Sequence, residues 1–495
     1  MFESAEMGHS ISKRTYAREV PKLREALLDA QYDLFQDSRF PVMVLIAGVD
    51  GAGKGETVNL LNEWMDPRHI RVAAFGEPSD EERERPPMWR YWRELPPKGK
   101  IGIFFGHWYT DPILDRVYRK TKQSELIESI EQIVRFEKML TDEGALLLKF
   151  WFHLSKEKQK KRLKALEKNP ETRWRVTKTD WRHFKLYDRL REVAELALLQ
   201  TGSASAPWIV VEGEDARYRN LTVGRALLAA MRERLDQKPA RPAVDRIAPI
   251  SPRIDKRDIL GALDLTLKLD RKRYTEQRAL YQGRLNLLSR NPRFRERSAI
   301  LVFEGNDAAG KGGAIRRVAA ALDARYYRTI PVAAPTEEER AQPYLWRFWR
   351  HIPRVGRFAL FDRSWYGRVL VERVEGLASE FDWARAYSEI NDFEQQLADN
   401  GAIVIKFWLA ISKDEQYRRF RERQQTAFKR FKITPEDWRN RKKWEAYEQA
   451  VCDMVDHTST AAVAPWTLVE ANDKLYARIK VLKTICERLE SALKR

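Results

Sequence analysis

The chain contains its own pattern twice. VMVLIAGVDGAGKGE from Val42 aligns with AILVFEGNDAAGKGG from Ala299. Gly48 pairs with Gly305, an offset of 257 residues (305 − 48). The same offset pairs Pro78 with Pro335, Trp89-Arg90 with Trp346-Arg347, and Trp92-Arg93 with Trp349-Arg350. It still holds at Trp108-Tyr109 with Trp365-Tyr366, at Lys149-Phe150-Trp151 with Lys406-Phe407-Trp408, and at Trp181 with Trp438. By Trp208 and Trp466 it has slipped by one residue. Rare tryptophans stay in register too far for chance. The period is as long as a domain, so the repeat is a tandem duplication and not a solenoid.

Between the copies, Lys238 to Arg253 carries four prolines, which remove backbone donors and disfavour helix. This stretch reads as a linker, and the expected domains are residues 1–245 and 246–495. Each copy begins with an amphipathic stretch (Lys13 to Phe35; Lys256 to Leu288). Four short apolar strands are expected in each: Val42–Ala47, Ile101–Phe105, Ala145–Leu154 and Trp208–Val211, then Ala299–Phe303, Phe358–Phe361, Ala402–Ile411 and Trp466–Val469. Strands alternating with helices argue for an α/β fold with a parallel sheet covered on both faces.

With 91 Lys and Arg against 72 Asp and Glu, the chain has a net charge of +19. A polyanionic partner is expected: nucleic acid, an anionic surface or a phosphorylated substrate. The two cysteines, Cys452 and Cys486, make neither a disulfide framework nor a four-cysteine zinc site, and are expected as buried thiols. No apolar run is long enough to span a membrane, and the N-terminus has no apolar segment of a signal peptide. The expected compartment is a reducing cytoplasm.

Gly305 to Lys311 fits G-x-x-x-x-G-K at a strand-to-helix junction, as do Gly48 to Lys54. Glycines there let backbone amides point inward around a phosphate, and the following helix and the lysine add positive charge. The alternative is a plain strand-to-helix turn. The residue after the lysine is ordinarily Ser or Thr, which holds magnesium; here it is Gly55 or Gly312. A metal then needs another oxygen, and Asp50 and Asp307 inside the loops are the candidates.

The sequence Phe361-Asp362-Arg363 ends an apolar strand with an acid, the Walker B position, where a carboxylate binds Mg²⁺ and the neighbouring arginine neutralises a transferring phosphoryl group. In the first copy Phe105 and Gly106 occupy these places. Phenylalanine cannot bind magnesium, and His107 beside it is a poor magnesium ligand. The second copy is therefore expected to be competent for phosphoryl transfer and the first crippled. The basic run from Ser412 to Ile433, with Arg419 and Arg423, reads as a lid over the loop or as a solvated helix face. Arg347 and Arg350 alternate with Trp346 and Trp349, either as a base-stacking and phosphate-binding cluster or as core tryptophans with exposed neighbours.

Together these residues resemble the polyphosphate kinase 2 family in a two-domain form. The resemblance rests on Glu304-GNDAAGKGG, Phe361-DRSWYGR-Arg368, Ile405-KFWLAISKDEQYRRFRER, Trp438 to Ala450, and Ala464-PWTLVEANDKLYARIKVLKTI. It implies two tandem P-loop kinase-like domains with helical lids, Mg²⁺ dependence, and Lys and Arg side chains that hold inorganic polyphosphate. It implies catalytic roles for Asp307, Lys311, Asp362 and Arg363, with Asp307 and Asp362 as metal ligands. By the same resemblance Gly305, Ala309, Gly310, Gly312, Arg347, Arg350, Arg368, Lys406, Arg419 and Arg423 bind phosphates or nucleotide. The fused form implies transfer of the terminal phosphoryl group of polyphosphate to AMP, giving ADP. Gly367 departs from the asparagine of many single-domain relatives, which puts the acceptor in question. The competing readings are a polyphosphate-dependent nucleoside diphosphate kinase, an ATP-dependent nucleotide kinase and a non-catalytic polyanion-binding scaffold. Nucleic acid and membrane are not expected partners, and a homo-oligomer is left open.

Overall fold

The computed structural model describes residues 1–237 and 258–494. The expected linker and the boundary at 245 lie outside the described residues. Two compact units result. One holds Met1–Pro78, residues 90–237 and Pro335–Trp346; the other holds Ser79–Trp89, residues 258–334 and residues 347–494.

In the first unit the strands are β1 (Val42–Gly48), β2 (Ile70–Ala74), β3 (Ile101–Phe105), β4 (Leu146–His153) and β5 (Trp208–Glu212). In the second they are β6 (Ser298–Gly305), β7 (Tyr327–Pro331), β8 (Phe358–Asp362), β9 (Ala402–Ala410) and β10 (Trp466–Glu470). The sheets are ordered β2-β3-β1-β4-β5 and β7-β8-β6-β9-β10, with every pair parallel. Central strands such as β6 are buried along almost their whole length, hence their unbroken apolar runs. One face of the second sheet, with Leu301, Phe303, Leu360, Ile405 and Phe407, packs on Val481, Leu482, Ile485 and Leu489 of the closing helix Lys474–Lys494.

The sequence reading finds four strands per unit where the structure has five. The fifth, β2 or β7, lies at a sheet edge with three of its five residues exposed. A strand that solvates most of its residues has no apolar run to announce it. The second lead-in helix also begins later than expected, at Arg271, where the Asp270 side chain accepts the amide of Arg273 as an N-cap.

Register positions the site. Phe303 lies opposite Asp362 on one side and Phe407 on the other. The loop after β6 and the acid that ends β8 therefore emerge together at the C-terminal edge of the sheet, where ligands of open α/β sheets bind. The helices Lys413–Gln425 and Pro435–Lys442 follow β9, each started by a hydroxyl cap, Ser412 and Thr434.

Candidate active site

The loop from Gly305 to Lys311 takes a path that its small residues permit. Gly305 has φ of 149°, and a Cβ there would lie 2.4 Å from the carbonyl oxygen of Leu409. Gly310 has φ of 112°. Ala308 and Arg363 hold left-handed backbone without being glycine, at φ of 65° and 66°. Such conformations cost free energy and concentrate at functional sites. Lys311 Nζ folds back to donate to the carbonyls of Gly305 at 2.6 Å and Asn306 at 3.3 Å. Burial lowers its pKa, and the positive charge of Arg363 adds to that.

Asp307 is held at three points. Its Oδ1 lies 3.2 Å from Arg363 Nη2. Its Oδ2 accepts from Asn440 Nδ2 at 3.0 Å. Its main-chain oxygen accepts from Gln416 Nε2 at 3.2 Å. Both lid helices thereby reach the loop. For Arg363, burial acts to lower the pKa, but the carboxylates of Asp307 and Glu304 outweigh it and the net shift is upward. Asp362 Oδ2 lies 3.9 Å from where a Cβ on Gly312 would stand. The acid that ends β8 thus faces the position that a Ser or Thr hydroxyl ordinarily fills.

Glu304 is 5% exposed and accepts from Ser364 Oγ at 2.8 Å. Burial raises its pKa; Lys311 and the Ser364 hydrogen bond offset this only in part. Sequence reasoning assigned it no role, because a glutamate closing an apolar strand reads as a strand end. A pocket opens beside this cluster. Its lining includes the charged Glu304, Asp307 and Arg363, the apolar and aromatic Leu370, Val371, Trp408, Trp444 and Tyr447, and Gly367. A lining that is part charged and part apolar suits a ligand that is part phosphate and part base.

The first unit keeps the loop and loses the charges that Glu304, Asp362 and Arg363 supply in the second. Asp50 Oδ2 meets His183 Nδ1 at 2.7 Å and its Oδ1 lies 3.4 Å from Lys54 Nζ. Burial opposes ionisation of Asp50, yet Lys54 and His183 outweigh it and hold the carboxyl at about 2. Phe105 and Gly106 stand where Asp362 and Arg363 do, and Ala47 where Glu304 does. His107 is fully enclosed, and burial, with help from Lys149 and Lys54, pushes its pKa down to about 3. A neutral, enclosed imidazole does not replace the missing acid.

A family model described as polyphosphate kinase 2 matches residues 10–239 and again residues 268–495. The chain belongs to the polyphosphate kinase 2 family. A protein named polyphosphate:AMP phosphotransferase from Pseudomonas aeruginosa is 59% identical over 495 residues, covering 100% of both chains. One of the same name from Acinetobacter johnsonii is 39% identical over 473 residues, 94% of this chain and 95% of its own. The crystal structure of a protein described as a polyphosphate kinase 2 from Pseudomonas aeruginosa has a TM-score of 0.91 and 57% identity, covering 100% of both chains.

Within this polyphosphate kinase 2 chain the expected residues fall into three groups. Gly305, Asp307 and Arg363 line the pocket, while Lys311 donates to the loop and Asp362 faces Gly312; Ala309 and Gly310 belong to the loop. Arg347, Arg350, Arg368 and Arg423 are not among the pocket-lining residues. Arg347 donates to the carbonyl of Ala333 and Arg368 pairs with Glu372 at 2.9 Å. Trp346 and Trp349 are buried, which decides for core over base stacking. Lys406 and Arg419 are corrections. Lys406 is completely buried and donates to Glu394, Tyr366 and the carbonyl of Thr458 at 2.7, 2.6 and 2.8 Å. Lys149 repeats this with Glu137 and Thr201 in the unit that lacks the acid, so the lysine serves the core and not phosphate. Arg419, 2% exposed, turns under the loop and donates to the carbonyls of Ala308, Ala309, Ala471 and Asn472. A guanidinium so engaged supports the loop, and Arg419 lines a different, basic pocket with Arg418, Lys474 and Arg478. Cys452 and Cys486 are buried and in no disulfide, as expected.

Proposed function

We propose that the second unit transfers the terminal phosphoryl group of inorganic polyphosphate to AMP, and that the first unit does not catalyse. The observation that carries the acceptor is the full-length identity of 59% to a polyphosphate:AMP phosphotransferase. An ionised phosphate oxygen of AMP attacks the terminal phosphorus of polyphosphate. A P–O bond forms to AMP as the bond to the next phosphate breaks, giving ADP and a polymer one unit shorter. Lys311 and Arg363 neutralise charge on the transferring group. The strained backbone of Arg363 and its contact with Asp307 fix the guanidinium before substrate arrives. Asn440 and Gln416 bring the lid onto the loop, which excludes water and holds the reactants in line. The apolar part of the pocket lining takes the base.

The two carboxylates fit a divalent cation. Mg²⁺ prefers hard oxygen donors and is usually held by one or two carboxylates together with substrate phosphates. Asp307 and Asp362 supply oxygen donors of this kind, and among the described residues no group of three or more His, Cys, Asp or Glu could hold a metal by itself. Asp307 and Asp362 would hold the ion, which would neutralise nonbridging phosphate oxygens.

No helix among the described residues is long and apolar enough to cross a membrane. We take two buried cysteines in no disulfide as support for a reducing, cytoplasmic location. The test is a nucleotide assay with purified protein, Mg²⁺ and polyphosphate, without ATP, offering AMP and ADP separately. ADP made from AMP is the expected result. ATP made only from ADP would transfer the assignment to a nucleoside diphosphate kinase; no product from either would sink both.

A further inference from the structure

Glu56 stands in the first turn of the helix Lys54–Trp64, just past the N-terminal loop. Its carboxylate meets three guanidinium groups from three other elements. Arg175 Nη1, from the helical turn Arg173–Arg175, lies 2.9 Å from Oε1. Arg162 Nη2, from the first lid helix Lys156–Lys168, lies 3.3 Å from the same oxygen. Arg219 Nη2, from the closing helix Ala216–Asp236, lies 3.0 Å from Oε2. Both carboxylate oxygens are thus engaged by forks that would hold a phosphate equally well.

The catalytic unit is built differently at three of these places. Glu56 aligns with Gly313, which has no side chain. Arg162 aligns with Arg419, whose guanidinium supports the loop and is paired with Glu415 at 2.5 Å. Arg219 aligns, in the slipped register, with Ala477. Yet Arg219 donates to the carbonyls of Ala52 and Gly213 at 3.4 and 3.3 Å. These are the counterparts of Ala309 and Ala471, which Arg419 holds. In the N-terminal unit the loop is therefore supported from the closing helix. The lid arginine Arg162 is released from that task, and Glu56 meets it.

We propose that Arg162, Arg175 and Arg219 form an oxyanion site that the protein fills with its own Glu56 carboxylate. A phosphate group of polyphosphate occupies the site once that carboxylate is removed. With Glu56 removed, the three guanidinium groups are left without their carboxylate partner. The internal anion fastens the N-terminal lid to the loop helix, so this unit takes no donor while the other turns over. Only the choice of ligand rests on the donor assigned above.

The test uses the full chain with Glu56→Gln, which preserves shape and a hydrogen-bond acceptor for Arg219, and Glu56→Gly, the residue of the other unit. Binding of inorganic polyphosphate of one defined length is measured with Mg²⁺ and no nucleotide. The wild type is expected to bind at one site per chain and each variant at two, the second weakening steeply with salt. Trypsin cleavage at Lys168, Arg173 and Arg175 is expected to quicken at least several-fold in both variants and to slow again with polyphosphate. One site in a variant whose melting curve shows it folded would overturn the proposal and leave Glu56 as the counter-ion of Arg219. Two sites in the wild type would overturn it as well. If Glu56→Gly does not fold, Glu56→Gln decides. Turnover of AMP is read on the same samples. Its absence in the wild type would defeat the donor and acceptor assignment, while the site count would still decide this one.

Discussion

Asn440 donates its side-chain amide to Oδ2 of Asp307 at 3.0 Å, and at the aligned positions His183 meets Oδ2 of Asp50 at 2.7 Å. The second lid helix touches the loop carboxylate in both units. A neutral amide adds no charge against Asp307, whose other oxygen meets Arg363. Hydrogen bonds to charged groups are worth about 1.5–3 kcal/mol, so Asn440→Ala is expected to lower kcat/KM about 10- to 100-fold. Steady-state kinetics over a polyphosphate series checks this. An unchanged kcat/KM would mean that lid contact does not assist the chemistry.

Asp362→Ala should abolish transfer, a loss of at least about 10²- to 10³-fold by the usual worth of one preorganised electrostatic group. Asp50→Ala should leave most of it, because Phe105 already denies that unit its acid. Equal losses in the two variants would defeat the single-active-unit reading.

Gly367 lines the pocket, and a Cβ there would meet Glu372 and Val371 only at 3.9 Å, ordinary contact distance. A side chain is therefore tolerated, and its effect falls on the ligand. Gly367→Asn is expected to lower kcat/KM for AMP relative to ADP about tenfold or more, with the melting temperature unchanged. Competing AMP and ADP in one reaction measures the ratio directly.

Removing one partner of a buried ion pair costs about 3–5 kcal/mol, because the other charge is left uncompensated. Lys406→Ala and Lys149→Ala strand Glu394 and Glu137 in this way. Both should melt about 10 °C lower, on the usual scale of 2–4 °C per kcal/mol for a unit of this size. A phosphate-binding lysine would instead show a raised KM for polyphosphate at unchanged stability.

His107 has its pKa lowered to about 3 in the folded chain, against an ordinary value of 6.5. The unfolded chain therefore takes up a proton that the folded one refuses. Stability is expected to fall by about 1.4 kcal/mol per pH unit as pH drops from about 6.5 towards 3, and to be independent of this group above 6.5. Denaturant unfolding of the wild type and His107→Phe, compared across that range, should show a shallower acid loss in the variant. Parallel curves would rule out this source.

Much of the site was readable because its chemistry is local in sequence. The strand–loop–helix pattern around Gly305 and Lys311, and the acid ending an apolar strand at Asp362, are runs of adjacent residues. Lys406 and Arg419 were misread for the opposite reason. A cation in a motif looks the same whether its charge faces a pocket or a partner 12 residues away, as Glu394 is from Lys406. Strand β7 was missed because an edge strand exposes most of its length and carries no apolar signature.

The residues by themselves determined the duplication, the parallel α/β architecture, the two phosphate loops and the loss of the acid in one of them. Each of these follows from periodicity, steric freedom or the chemistry of a single side chain. Only the tertiary structure decided which charges are neutralised inside the protein. Arg419 and Arg219 support equivalent loops from different helices, and Glu56 engages arginines from three elements. Electrostatic pairing depends on distance in space and on the water excluded between the partners. Neither quantity is written in the order of the chain.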